Sequence, residues 1–479
     1  MTWIDGIIIV VYMAAVVVAG IGGRGRQENT RDYFTSRDGF KGRIGQVIVG
    51  LSIGATLFSG ISLVAIPSLF YAYGVTITAV MISFPLAYLL LRYWFLPRYL
   101  AVAQNSPYDI IEIQFGRPTR LVASGMFLLL RLAWMAALTY VPVLVIMAGV
   151  GLGHEWFWPL ILFIGLSSTA YTVAGGIRGV IITDAIQFII IIVVLLAIIL
   201  FIGLRLPMSF AEVSGYLQGN TALLKLNWSL NPTVAMTVLA MGIGGTFSNM
   251  SSYIADQMSL QRYLASGGVR PAVSAFGSCM VSTALIFVLL YAVGLAIGAW
   301  YHIHPDSGLP ADADRVFPYF VASQLPVGFM GLTLAAILAA TMSSITSGIN
   351  ALSGSLLNDF VPLVERVESR RLLLYARLTS AAIGIGTTIG AGFVERVGSL
   401  YNILFAFFGI FLGPLLACMI CTIGRLQATG RILIPAMLLG CLSGVGVATT
   451  PIADVWMPAV TCLVTLSAAW LGSRIWRKV

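Results

Sequence analysis

Residues Pro326 to Asp359 read PVGFMGLTLAAILAATMSSITSGINALSGSLLND. The run is apolar and exceeds the roughly 20 residues that a helix needs to cross a bilayer. Its middle nevertheless carries hydroxyls at Thr341, Ser343, Ser344, Thr346 and Ser347. Residues three or four apart share a helix face. Ala340, Ser343, Ser344 and Ser347 therefore form one stripe, flanked by Thr346. Two chemistries suit such a stripe at membrane depth. Small residues let helices approach and hydroxyls bond across them. Neutral oxygens also ligate a hard cation, which takes oxygen rather than sulfur or nitrogen.

The surrounding composition sets the medium. Of 479 residues, 59% are hydrophobic and only 9% are charged, where a soluble domain carries about 25% charged residues. The chain is an all-α polytopic membrane protein. Its net charge of +9 comes mostly from arginines in short loops, so it reports topology and not nucleic-acid binding. The five cysteines fall inside apolar segments, and Cys418 and Cys421 read as packing residues. Three histidines in loops are too few for a zinc centre. No nucleophile, base and acid converge in sequence, so the chain is read as no enzyme. The match of Gly50-Leu51-Ser52-Ile53-Gly54 to a hydrolase elbow lacks the required strand–turn–helix context.

Thirteen apolar spans are expected: 3–22, 44–73, 75–99, 119–148, 155–175, 179–204, 232–256, 268–300, 327–357, 373–394, 397–423, 430–450 and 453–474. The apolar stretch of the first, Ile7 to Ile21, has Asp5 just before it and no basic region ahead, and reads as a retained helix. Alternate loops hold most of the arginines, including Arg24, Arg98, Arg117, Arg178, Arg262, Arg370 and Arg425. The positive-inside rule then puts the N-terminus outside and the C-terminus in the cytoplasm, in a plasma (inner) membrane.

Spans 2 and 7 interrupt themselves. The first holds Gly50, Gly54, Gly60 and Pro67, the second Gly242, Gly244 and Gly245 before Ser248 and Asn249. Breaks at membrane depth survive only where the freed backbone is buried or lines a cavity. Interrupted segments in matching places of two halves point to a transporter binding site; helix packing alone is the plainer reading. Asp184 in span 6 is the next anomaly. A carboxylate inside a span faces a cavity, a cation or a partner, and Arg178 is the nearest basic residue in sequence. In span 4, Arg131 and Trp134 stand one turn apart; Trp134 either stacks on a substrate or packs.

Several blocks together resemble the sodium:solute symporter family: TRDYFTSRDG after span 1, SPYDIIEIQFGRPTR after span 3, YTVAGGIRGVIITDAIQ, ADQMSLQRYLAS, and AAILAATMSSITSGINALSGSLLND in span 9. The resemblance implies a LeuT-type fold of two inverted five-helix repeats, spans 2–6 and 7–11. The corresponding divisions are a leading helix and cytoplasmic loop at 1–43, repeats at 44–204 and 232–423, an extracellular loop at 205–231, and two trailing helices at 424–479. It implies sodium as the coupling ion, a small organic solute and alternating access. The family's general sodium site would take the carbonyls of Ala55, Phe58 and Ala340 and the hydroxyls of Ser343 and Ser344. A second sodium would use Asp184, Ser343, Thr346 and Ser347. The solute cavity would be lined by Ser59, Gly60, Ser62, Trp134, Asn249, Ser252, Tyr253 and Phe405. Trp134 stands where sialic acid carriers of the family hold a basic residue, which disfavours that substrate unless Arg131 replaces it. The partners expected are the solute and the lipid bilayer, with no nucleic acid; a monomer suffices. Proton coupling through Asp184, a channel, and a membrane sensor are the competing classes.

Overall fold

The computed structural model of the chain describes residues 2–25, 27–36, 40–103, 106–205, 217, 221–310, 315–361, 369–394, 400–426 and 428–476. The leading helix α1 (Trp3–Gly22) begins with a capping box. The Thr2 amide donates to Asp5 Oδ2 at 2.7 Å, and the Asp5 amide returns to the Thr2 hydroxyl, satisfying two amides that a helix start leaves free. A short helix α2 (Thr30–Phe34) follows, then α3 (Gly42–Leu57) and α4 (Gly60–Tyr73). The next apolar run opens as a tight 3-10 stretch, Gly74–Ile82, continues as α5 (Ser83–Leu90), and ends as α6 (Leu96–Leu100). Then come α7 (Asp109–Phe115), α8 (Arg117–Val150) and α9 (Phe157–Arg205).

The 49 residues of α9 would make a rod of about 74 Å at 1.5 Å per residue, far beyond a bilayer. The chain bends instead at Gly176, whose φ of 58° and ψ of −163° are not helical. Only glycine adopts that conformation without strain, so the expected boundary between spans 5 and 6 falls here.

The second half comprises α10 (Gly245–Ile254), α11 (Gln257–Ala265), α12 (Val269–Ile303), α13 (Val316–Ser323), α14 (Phe329–Ser355), α15 (Ser369–Ala391), α16 (Leu400–Ile423), α17 (Gly430–Ala448) and α18 (Met457–Trp476). Each of the thirteen expected stretches contains helix. Among the described residues, nine helices are long and apolar enough to cross a membrane, and two apolar helices are shorter.

The break in span 2 is real. Phe58 (φ −92°, ψ 118°) and Ser59 (φ −100°, ψ 160°) are extended between α3 and α4. The Ser59 hydroxyl caps α4 by accepting from the Ser62 amide at 3.3 Å. The expected break in span 7 differs. Its glycines form a wide π turn, Ala240–Gly244, that runs on into α10. A Cβ on Gly244 would meet the Val455 carbonyl at 2.2 Å, and one on Gly245 would meet Val80 at 2.8 Å. These glycines serve close helix approach, and the chain leaves helical geometry later, at Ala255–Asp256.

The opening stretch becomes α14, the central helix. Of its most apolar window, 83% is buried, against 28% for α1 at the periphery. It packs on α9, α8, α1, α3 and α4, so its hydroxyls face protein and not lipid. Its start is held by α1: Asp5 Oδ1 accepts the amides of Gly328 and Gly331 at 3.0 and 2.9 Å.

Candidate functional site

The gap between α3 and α4 exposes main-chain carbonyls that a continuous helix would consume. Opposite them stands the serine stripe of α14. The Ser343 hydroxyl donates to the Ala55 carbonyl at 3.0 Å and lies 3.0 Å from the Ala340 carbonyl. The Ser344 hydroxyl lies 3.0 Å from the Thr56 carbonyl, 3.5 Å from that of Phe58 and 3.3 Å from that of Ala340. All of these residues are buried. Ala55, Phe58, Ala340, Ser343 and Ser344, the five expected first-site residues, are therefore brought together, and Thr56 joins them.

The oxygen spacing suits a hard monovalent cation. Ligands at about 2.4 Å from an ion, arranged octahedrally, lie about 3.4 Å from one another. The spacings of 3.0–3.5 Å found here need only small adjustment. Every one of these oxygens is neutral, so the set lacks the strong field that would favour a divalent ion over a monovalent one.

One turn along α14 lies a charged cluster. Asp184 from α9 and Arg262 from α11 are fully buried and paired at 2.7 Å. Asp184 Oδ2 also accepts from Ser52 at 2.7 Å, Thr56 at 3.3 Å and Ser347 at 3.2 Å. Arg262 donates to the Ser52 hydroxyl and the Met258 carbonyl, each at 2.7 Å, and to the Ser347 hydroxyl. Asp184 Oδ1 makes no hydrogen bond among the described residues. Removing two charges from water is expensive and succeeds only with such additional hydrogen bonds.

Two expectations change here. The partner of Asp184 is Arg262 and not Arg178. Of the hydroxyls expected around it, only Ser347 reaches it; Ser343 turns to the helix break, and Thr346 donates to the Ser343 carbonyl at 3.2 Å. Sequence reasoning missed Ser52, Thr56 and Arg262. Arg262 was counted as a loop arginine because its short helix reads as polar, yet it is fully buried.

Beside the break, a cavity of about 220 Å³ opens between α3, α4, α8, α10, α12 and α16. Ser59, Ser62, Trp134, Asn249, Ser252 and Tyr253 line it as expected, together with Phe58 and Gly54. Gly60 does not. It faces α14, where an added Cβ would lie 2.4 Å from the Thr341 hydroxyl and 3.0 Å from the Ile337 carbonyl. The side chain of Phe405 lies outside the described residues; Phe408, three positions on, lines the cavity and meets Trp134 with ring centroids 5.1 Å apart. Phe84, Thr283 and Phe287 complete walls that sequence reasoning did not supply. Arg131 is absent from them: it is buried and paired with Asp256, so it does not stand in for a substrate-binding base at Trp134. The described walls hold no charged side chain.

Phe58 contributes to both places: its carbonyl points at the serines and its residue borders the cavity. A cation at the break and a solute in the cavity would thus share one two-residue hinge.

Comparison with known proteins fits this geometry. The chain is 29% identical over 401 residues to the sodium/sialic acid symporter NanT of Aliivibrio fischeri, covering 82% of this chain and 75% of that protein. It is 28% identical over 385 residues to the sodium/sialic acid symporter SiaT of Proteus mirabilis, covering 79% and 76%. Its backbone matches a solved substrate-bound, outward-open state of a Na+-coupled sialic acid symporter with a TM-score of 0.85 and 24% identity, covering 99% of this chain and 98% of that one. That likeness shows the fold, the LeuT-type arrangement. The model of the sodium:solute symporter family matches residues 39–439, and the chain belongs to that family.

Proposed function

We propose that this protein is a secondary active transporter that carries a small organic solute inward with sodium by alternating access. The observation that carries the reading is the meeting of the α3–α4 break with Ser343 and Ser344 at the edge of a neutral cavity. Sodium at the five oxygens of Ala55, Phe58, Ala340, Ser343 and Ser344 joins the broken helix to α14. Its presence favours the state in which those elements touch, and its loss lets them separate. The ion is cargo; the side chains hold and release it.

A second sodium at Asp184, with Ser347 as a ligand, is the finer part of the proposal. Arg262 already occupies one side of that carboxylate, so the guanidinium and an ion compete for it. Each sodium entering down about 100 mV releases roughly 2.3 kcal/mol. Two ions sustain roughly a thousandfold solute gradient, since about 1.4 kcal/mol is a factor of ten.

The cavity narrows the solute. Its 220 Å³ falls below the roughly 300–1,000 Å³ of pockets for drug-sized ligands. Aromatic rings dominate it, with serine, threonine and asparagine as polar points. A small, uncharged and partly apolar solute fits these walls. A sialic acid, the solute in the names of the two bacterial relatives, would bring a carboxylate to walls that offer it no described cation. The two repeats at 44–204 and 232–423, the external N-terminus, the cytoplasmic C-terminus and residence in the plasma (inner) membrane belong to the same proposal; a single chain contains every group it uses.

The test is uptake into proteoliposomes. Thermal-shift screening of the purified chain against sugars, amino acids, carboxylates and neutral solutes, with and without sodium, selects the solute. An inward sodium gradient then drives its accumulation. Uptake unchanged when sodium is replaced at fixed pH defeats the reading, and conductance without saturation by solute replaces it with a channel.

A further inference from the structure

Away from the sodium and solute groups, a cavity of about 570 Å³ opens where α6, α7 and the end of α16 meet. Arg98 and Arg425 line it with Gln114 and Thr422, against an apolar wall that includes Pro97 and Ile113. No carboxylate is among its described walls. The nearby acids Asp109 and Glu112 are turned to Arg120 instead. All three helices end or begin here at the arginine-rich side of the spans, and Ile113 is 69% exposed toward the surroundings of the bundle.

The local backbone presents one of these arginines at some cost. α16 closes with a two-bond cap: the Leu426 amide donates to the Cys421 carbonyl at 2.9 Å and the Arg425 amide to the Thr422 carbonyl at 3.2 Å. In this motif the residue after the helix is left-handed and is usually glycine. Here it is Arg425, with φ of 51°, a conformation that crowds any residue with a Cβ. Gln114 fastens the turn by donating to the Cys421 and Leu426 carbonyls, each at 3.4 Å. The turn thus brings Arg425 to the cavity wall at a position where glycine would be easier. Arg98 spends one N–H on the Trp94 carbonyl at 3.0 Å, which leaves most of its fork free.

Two guanidiniums at a span end, beside an apolar wall open to lipid, are the chemistry of a phosphodiester with acyl chains attached. Arginine forks match phosphate oxygens, and basic pockets between helices on the cytoplasmic side take anionic headgroups. We propose that Arg98 and Arg425 bind the phosphate of an anionic phospholipid of the cytoplasmic leaflet, with its chains along Pro97 and Ile113. The site rests on the orientation proposed above but not on sodium coupling, so sodium-driven uptake in neutral lipid and lipid binding fail separately.

The experiment uses the purified full chain. Phosphatidylglycerol should raise its melting temperature saturably, and phosphatidylcholine or inorganic phosphate at matched concentration should not. Native mass spectrometry should show one retained phosphatidylglycerol. R98Q/R425Q should bind it on the order of 30-fold more weakly, from about a fivefold loss per arginine near a charged headgroup. R425G should bind the lipid about fivefold more weakly while melting no lower without lipid, because glycine suits the left-handed turn; this separates lost binding from lost folding. R92Q/R117Q, at exposed arginines outside the cavity, should keep the response. An undiminished response in R98Q/R425Q overturns the proposal, as does an equal loss in R92Q/R117Q. A matching shift with inorganic phosphate overturns the lipid in favour of a small anion.

Discussion

Replacing Ser344 by alanine tests the cation reading at its centre. The hydroxyl is buried and lies within 3.0–3.5 Å of the carbonyls of Thr56, Phe58 and Ala340. The change removes one of five oxygens and adds no bulk. A hydrogen bond to a charged group is worth about 1.5–3 kcal/mol net, and a neutral oxygen ligand lost to a monovalent ion belongs to the same range. That corresponds to a half-saturating sodium concentration about tenfold to a hundredfold higher. The fold has its own loss, because the Thr56 carbonyl gives up a buried donor at about 1–3 kcal/mol. Ser344→Thr keeps the hydroxyl and controls for this. The assay is initial solute uptake into proteoliposomes across a sodium series, with melting temperatures measured in parallel. Sodium dependence should be lost in Ser344→Ala at ordinary concentrations and kept in Ser344→Thr. A half-saturating concentration unchanged by Ser344→Ala would refute the placement of the ion.

Three further outcomes are expected. Asp184→Asn leaves the Arg262 guanidinium buried without its carboxylate, at about 3–5 kcal/mol of stability. The pair Asp184→Asn with Arg262→Gln should recover melting, yet hold the sodium Hill coefficient near one; a coefficient unaltered in the pair eliminates the second ion. Trp134→Ala should raise the solute KM by on the order of tenfold with sodium affinity little changed, and an unaltered KM removes Trp134 from the solute. Gly60→Ala sets a Cβ 2.4 Å from the Thr341 hydroxyl. It should destabilise by about 1–3 kcal/mol through overpacking and weaken sodium more than solute; a pure change in solute KM would return Gly60 to the cavity.

Much of the site was legible because its causes are local. The hydroxyl stripe follows from 3.6-residue periodicity along one helix, and the break follows from glycine and serine within an apolar run. Ser343 and Ser344 therefore met Ala55 and Phe58 as expected. Gly60 was misassigned because one step along a helix turns a residue by about 100°, and the sequence does not say which neighbour it then meets. The glycines of span 7 were misread for a related reason: glycine marks both broken helices and close approach, and here Val455 and Val80 decide for approach.

Composition, apolar periodicity and the arginine distribution by themselves determined a helical, polytopic membrane chain with an interrupted second span and an oxygen-bearing central helix. These are properties of contiguous residues in a fixed solvent. Only the tertiary structure decided that Asp184 pairs with an arginine 78 residues away, that Phe408 meets Trp134, and that Arg131 is spent on Asp256. An ion pair or a cavity wall joins residues from separate helices, and the rotation and depth of each helix are set by packing against all the others.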